Sequence, residues 1–358
     1  MSQASGQNRI APLFLVGCPR SGTTLLSSIL EAQFNLAVPL ETHFIPYYNR
    51  LLWLWGDLEQ KKNRERLLEE IAIFLHIWTA RNNPARSMED YWEVSLLSII
   101  DQREQIIQNE QSFGKMAVKI FDLYAARKGC QYWADNSSFY DVEALADWDG
   151  NFPDMQVIHI VRDGRDVTLS WLKSWFRPSN LADTASRWAA HVAEKQSWGA
   201  NNPERYLELR YEDLLDSPDK VIEQIAGFIH LTANPGPLDL QNSPSAQVLS
   251  VGGTHDLLNG SIQSANREKW KKQLSLPEQR FFEYLVGPQL EKNHYPRQHP
   301  TFSKGVSWLF LLKKWLSRPR RFFLIDFYMR KAKSILPLLI FLARRLGIAP
   351  GTIIKWLR

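Results

Sequence analysis

Residues Phe14-Leu15-Val16-Gly17-Cys18-Pro19-Arg20-Ser21-Gly22-Thr23-Thr24-Leu25-Leu26 constrain this chain more than any other stretch. An apolar run ends at a glycine, four residues follow, and then come a second glycine, two threonines and a helical pattern. This order predicts a strand, a tight loop and a helix N-terminus. Backbone N–H groups and the helix dipole at such a junction hold an oxyanion.

The outline is that of a Walker A loop, but Thr23 stands where nucleotide-hydrolysing proteins have lysine. That lysine normally reaches the β- and γ-phosphates, and the hydroxyl after it holds magnesium. Here the fixed cation of the loop is Arg20. A loop with one arginine and no lysine suits an anion other than a magnesium-bound triphosphate.

Elsewhere, Met155 to Val161 reads as a buried strand leaving through Arg162-Asp163-Gly164-Arg165-Asp166 into a helix with Val167, Leu169, Ser170 and Leu172. Arg205 to Leu209 is a further strand, and Lys115 to Ile120 a short one. Helices are expected over Gly22 to Ala32, Leu181 to Trp198 and Pro218 to Ile229. Residues 45–110 read as a mostly helical insertion carrying Trp53, Trp55, Phe74, Trp78 and Trp92 among many charges. Strands alternating with helices predict an α/β fold, a P-loop-like and mostly parallel sheet with helices on both faces. Ligands of such sheets sit beyond the carboxyl ends of the strands, so the loops at Gly17 and Arg162 can face one crevice.

At 358 residues the chain can bury one large core or a core with an appendage. Its hydrophobic fraction of 44% and charged fraction of 23% exclude a disordered chain. Cys18 and Cys130 form neither metal-ligand spacing nor a disulfide framework, which points to a reducing, cytoplasmic compartment. Cys18 reads as a small residue filling the loop. Ala11 to Val16 is too short for a signal-peptide core, and no window reaches about 18 uncharged apolar residues.

The net charge of +5 is unevenly spread: residues 301–358 hold thirteen Lys or Arg and one acid, Asp326. That segment carries +12, leaving −7 on residues 1–300, so a boundary is placed near Pro300. Trp308 to Leu316, Arg320 to Ile325 and Ile335 to Arg345 alternate apolar blocks with basic clusters, interrupted by Pro319, Pro337 and Pro350. Two readings of this helical basic appendage stand: interfacial helices on an anionic membrane, or an extension packed on the acidic core. Nucleic acid is not expected, because many large apolar side chains would face its phosphates.

Two motifs carry a family resemblance. Pro19 to Leu26 resembles the 5′-phosphosulfate loop of sulfotransferases that use 3′-phosphoadenosine 5′-phosphosulfate (PAPS). Val157 to Ser170, a strand ending in arginine with serine eight residues on, resembles their 3′-phosphate motif. Arg210 to Leu214 and Trp270 to Tyr295 extend the likeness over about residues 11–295.

The resemblance implies transfer of a sulfuryl group from PAPS to an acceptor hydroxyl, of carbohydrate, lipid, tyrosine or small molecule, without a metal. Gly17, Pro19, Arg20, Ser21, Gly22, Thr23 and Thr24 would bind the phosphosulfate, and Arg162 with Ser170 the 3′-phosphate. Leu40-Glu41-Thr42-His43-Phe44-Ile45-Pro46 resembles the Glu-Thr-Arg-x-Ile-Pro segment of the tyrosylprotein-sulfotransferase-like branch. It makes Glu41 the candidate base and Arg20 its catalytic partner, with His43 where that branch has arginine.

One departure concerns Trp133 to Ser138, where Asn136 stands in place of a lysine that contacts the transferring group. It leaves open a catalytically silent binding module of the same fold, and a P-loop phosphotransferase is the other rival. His159 reads as a core histidine, Trp171, Trp188 and Trp198 as packing, and Trp53 with Trp55 as acceptor-site candidates.

Overall fold

The computed structural model describes residues 10–39, 41–82, 102–137, 145–174, 180–236, 267–299 and 336–349, with Leu238, Leu240, Ser243 and Thr352 as single positions. The N-terminal half runs β1 (Leu13–Val16), α1 (Thr23–Phe34), β2 (Leu36–Ala37), α2 (Phe44–Asn49), α3 (Lys61–Asn82), α4 (Arg103–Asn109), α5 (Phe113–Arg127), β3 (Tyr132–Asp135) and α6 (Ala146–Asp149). There follow β4 (Gln156–Val161), α7 (Gly164–Lys173), α8 (Leu181–Asn201), β5 (Tyr206–Arg210), α9 (Tyr211–Asp216), α10 (Pro218–Ile229), α11 (Trp270–Gln273), α12 (Leu276–Lys292) and a helix over residues 336–345, α13.

The strands pair in the order β2-β3-β1-β4-β5, and every pairing is parallel. β1 lies in the middle, with Leu13 opposite both Ala134 and Gln156. Its alternate residues feed separate cores. Phe14 and Val16 join Phe74, Phe113, Phe121 and Trp148 on one face, while Leu13 and Leu15 join Ile29, Ile158, Ile160 and Ile225 on the other. A strand covered on both faces has no polar side, which is why β1 reads as a continuous apolar run. A third cluster packs α7, α8 and α12 around Trp171, Trp188 and Phe282.

One expected strand is a helix. Lys115 to Ile120 lies inside α5, which starts at the Ser112 cap. Its buried residues Phe113, Met116, Ala117, Ile120, Phe121 and Tyr124 recur at helical spacing over a longer window than the six residues that suggested a strand. The strand of this region is β3, whose Trp133, Ala134 and Asp135 are all buried.

The expected insertion contains α2, α3 and α4. Trp92 and the side chain of Trp78 lie outside the described residues. Trp53 is 74% exposed, whereas Trp55 is buried and donates to Glu70 at 3.1 Å, so Trp55 is a core residue and not an acceptor platform. Trp171, Trp188 and Trp198 are buried, as expected of packing residues.

Of the basic appendage, Trp308 to Leu316 and Arg320 to Ile325 lie outside the described residues. On α13, Leu336 and Ile340 enter the α3-side core, Phe341 meets Trp55 edge-on, and Arg344 pairs with Glu69 at 2.6 Å. Leu339, Leu342 and Leu346 of the same segment face outward.

Candidate functional site

The loop after β1 turns tightly, with Ser21 N–H donating to the Cys18 carbonyl at 3.0 Å. Arg20 and Gly22 both take positive φ, 76° and 105°. A side chain at Gly22 would collide with Tyr211, because a Cβ there lies 2.4 Å from its ring. Gly22 also starts α1 without any side-chain cap, so the first N–H groups of that helix face the loop rather than a capping oxygen. Cys18 is buried in the α7–α8 cluster and burial pushes its thiol pKa up, in keeping with a filling role.

The second motif meets this loop. Arg162, at the carboxyl end of β4, donates from Nη1 to the Arg20 carbonyl at 3.2 Å and stacks 4.2 Å from the centroid of Tyr211. Arg20 Nε donates to Ser170 Oγ at 2.9 Å. Two guanidinium groups, a hydroxyl and a helix N-terminus thus converge at the carboxyl ends of β1 and β4. A guanidinium presents planar, charge-assisted donors to phosphate-like oxygens, so this donor set is chemically suited to an anion. Ser21 Oγ, in the same loop, is buried and has no hydrogen-bond partner among the described residues.

The rest of Arg162-Asp163-Gly164-Arg165-Asp166 is scaffold. Asp163 caps α7 by accepting from Arg165 N–H. The Arg165 guanidinium is buried between Asp163 and Glu283, at 2.8 and 2.7 Å, and over the Trp270 ring. Asp166 accepts backbone N–H groups of Glu268 and Trp270 at 2.7 and 2.9 Å. The motif therefore presents one arginine to the crevice and spends its other charges tying α7 to α11 and α12.

Glu41, Thr42 and His43 form the next segment. Glu41 and His43 have φ of 40° and 54°, a region costing a residue with a Cβ roughly 1–2 kcal/mol. His43 is buried, and its Nε2 lies 3.5 Å from the half-exposed Glu41 carboxylate. At the end of β3, Asp135 Oδ1 accepts from Thr42 Oγ1 at 3.2 Å and Ser137 Oγ at 3.0 Å. Burial raises the Asp135 pKa to about 7, with the Ser137 and Thr42 hydrogen bonds partly offsetting the rise. Asn136 is buried and donates to Ser27 of α1 at 2.9 Å, and among the described residues its Oδ1 has no partner.

His159 is buried, as expected. Its Nδ1 sits 2.6 Å from Tyr206 Oη and 3.2 Å from Glu208, and burial lowers its pKa, which the Glu208 hydrogen bond partly opposes. The sequence reading missed Tyr211, Ser27 and the Asp135–Ser137 hydroxyl network. Tyr211 had a signal, its place directly after a strand end; the network had none, because its two halves, Thr42-His43 and Asp135-Ser137, lie 93 and more residues apart.

A lysine-free loop of P-loop outline joined to a strand-end arginine and a helix serine on a parallel sheet defines a P-loop-like α/β fold. Residues 12–235 match the profile of the sulfotransferase family, and the chain belongs to that family. It is 22% identical over 307 residues to protein-tyrosine sulfotransferase 1 of Danio rerio, covering 82% of this chain and 75% of that protein. It is 23% identical over 249 residues to the omega-hydroxy-beta-dihydromenaquinone-9 sulfotransferase Stf3 of Mycobacterium bovis, covering 60% of this chain and 61% of that protein. Among solved structures, the sulfotransferase domain of the Synechococcus PCC 7002 olefin synthase superposes with a TM-score of 0.55 at 20% identity. It covers 82% of this chain and 98% of that domain. The sulfotransferase domain of the curacin biosynthetic pathway gives 0.52 at 19%, covering 80% of this chain and 99% of that domain. These likenesses establish the α/β sulfotransferase fold, to which this chain adds helical segments after residue 300.

Proposed function

We propose that this protein transfers a sulfuryl group from PAPS to an acceptor hydroxyl, with Glu41 as general base. The observation that carries the reading is the Arg20–Ser170 hydrogen bond, with Arg162 on the Arg20 carbonyl, which joins the two motifs into one anion site. PAPS would supply the electrophilic sulfuryl group. Gly17, Pro19, Arg20, Ser21, Gly22, Thr23 and Thr24 would hold its phosphosulfate end, and Arg162 with Ser170 its 3′-phosphate.

Glu41 takes the proton of the acceptor hydroxyl as that oxygen attacks. Arg20 and the N–H groups at the start of α1 stabilise negative charge on the departing oxygen. Asn136 contributes an amide and no charge, so that task falls more heavily on Arg20. No metal has a role in this scheme.

Protein tyrosine and omega-hydroxy-beta-dihydromenaquinone-9 are the acceptors named for two relatives. We favour a lipid-linked acceptor at the cytoplasmic face of a membrane, because Leu339, Leu342 and Leu346 point outward beside Arg345 in a segment rich in Lys and Arg. Among the described residues no helix is long and apolar enough to cross a membrane. The buried neutral Asn136 supports a second reading, a silent sulfotransferase-fold module that binds nucleotide without turnover.

Incubation with sulfur-35-labelled PAPS and a phenol, a sugar and a long-chain alcohol tests the assignment. Label should move to one acceptor class, and Glu41→Gln should lower transfer about 100-fold or more while still binding 3′-phosphoadenosine 5′-phosphate. Full activity in Glu41→Gln removes Glu41 as base. Nucleotide binding without transfer to any class favours the silent module.

A further inference from the structure

The Glu41–His43 segment adopts a backbone that its residues do not favour, and one buried group holds it there. Thr42 Oγ1 donates to Asp135 Oδ1 at 3.2 Å. Ser137 Oγ donates to the same oxygen at 3.0 Å and accepts the His43 backbone N–H at 3.0 Å. The two hydroxyls also lie 3.2 Å apart. Asp135, Ser137, Thr42 and His43 are all buried, whereas the Glu41 carboxylate next to them is half-exposed. The flanking residues carry the strain, with φ of 40° at Glu41 and 54° at His43. Left-handed backbone on both sides of one residue, at positions with Cβ atoms, persists only where the surroundings over-determine it. Here the surroundings are the carboxyl end of β3, one strand from the loop that carries Arg20.

We propose that Asp135, acting through Thr42 and Ser137, is a positioning residue that fixes Glu41 at the crevice and brings His43 against its carboxylate. The inference deepens the sulfotransferase reading and rests on Glu41 being the base. It assigns work to three side chains that lie inside compared segments but to which those segments gave no task. Asp135 holds the middle of the segment by its hydroxyl, Ser137 holds the backbone N–H after it, and Glu41 is left to project from an anchored backbone. His43 then lies 3.5 Å from the Glu41 carboxylate, facing it from the buried side. A base placed this way needs no rearrangement before proton transfer, and small misplacements of reacting groups cost rate rather than binding.

The test uses the full chain, 3′-phosphoadenosine 5′-phosphate for binding, and PAPS with whichever of the phenol, the sugar and the long-chain alcohol the wild type labels for turnover. Thr42→Val keeps the shape of Thr42 but removes its donor. It should lower kcat about 10- to 100-fold with nucleotide Kd unchanged, and Thr42→Ser should restore kcat. Ser137→Ala should lower kcat similarly and speed hydrogen exchange at the His43 amide, a readout that needs no turnover.

Wild-type kcat in both Thr42→Val and Ser137→Ala, with Glu41→Gln inactive, overturns the positioning role and leaves the base intact. An active Glu41→Gln overturns the base reading itself. Equal loss of nucleotide affinity in Thr42→Val and Thr42→Ser shows a purely structural role and also overturns the inference.

Discussion

Arg20 and Gly22 show how closely single residues are specified here. Arg20 reaches Ser170 from a backbone with φ of 76°, and Gly22 lets the Tyr211 ring lie against the loop. Gly22→Ala combines an unfavourable φ with a Cβ placed on an aromatic ring. It should destabilise the fold by about 1–3 kcal/mol, read by urea denaturation, and weaken nucleotide binding further. A variant with wild-type stability and affinity would show that the loop is not so constrained.

Asp135 gives a pH prediction. Its carboxyl is protonated up to about pH 7 in the fold, but only to its ordinary range near 4 when unfolded. The folded state therefore binds more protons between those values. This contribution is fully present below about pH 4 and is lost as pH rises through about 7. Asp135→Asn cannot titrate, so the stability of the wild type relative to this variant should fall by on the order of a few kcal/mol from pH 4 to pH 8. Parallel stability curves across that range would contradict the burial argument.

At the scale of elements, legibility followed the length and completeness of the apolar pattern. β1, β4, α8 and α10 could be read because each carries a nearly continuous apolar run or a full helical period, and β5 because Leu207 and Leu209 alternate with Glu208. α5 could not be read from six residues, since Lys115 to Ile120 is a short, largely apolar run whose helical period shows only when Phe113, Phe121 and Tyr124 are included. β3 escaped because it is four residues long and ends in a carboxylate.

The same holds for the site. Contiguous motifs announced Arg20, Arg162 and Ser170, but the hydrogen bonds joining them cross 142 and 150 residues and exist only in the fold. α13 is an element whose role the structure sharpens. Ile340 is wholly buried against the α3-side core, so Ile340→Ala should cost about 2–4 kcal/mol in denaturant unfolding. Arg344→Ala breaks a partly exposed ion pair and a 3.3 Å hydrogen bond to the Ile348 carbonyl, and should cost about 1 kcal/mol. Equal, small losses would mean that α13 does not dock on α3.

For the whole molecule, the charge division between residues 1–300 and 301–358 becomes a statement about surfaces. α13 puts one apolar face into the core and leaves Leu339 and Leu342 outside, with Leu346 exposed just after it, so removing the appendage would open the core as well as delete the outer face. Replacing those three leucines with glutamate tests the surface alone. Co-sedimentation with phosphatidylserine vesicles should drop about tenfold or more while the melting temperature holds. Undiminished sedimentation would contradict a membrane-facing α13.

The central claim is that two anion-binding motifs form one pocket for a nucleotide phosphorylated at both ends. Calorimetric titration with 3′-phosphoadenosine 5′-phosphate, compared with adenosine 5′-phosphate, tests it most directly. The account predicts that the doubly phosphorylated nucleotide binds about 10- to 100-fold more tightly, and that Arg162→Ala abolishes the difference. Equal affinity for the two nucleotides in the wild type, or no binding of either, would contradict it.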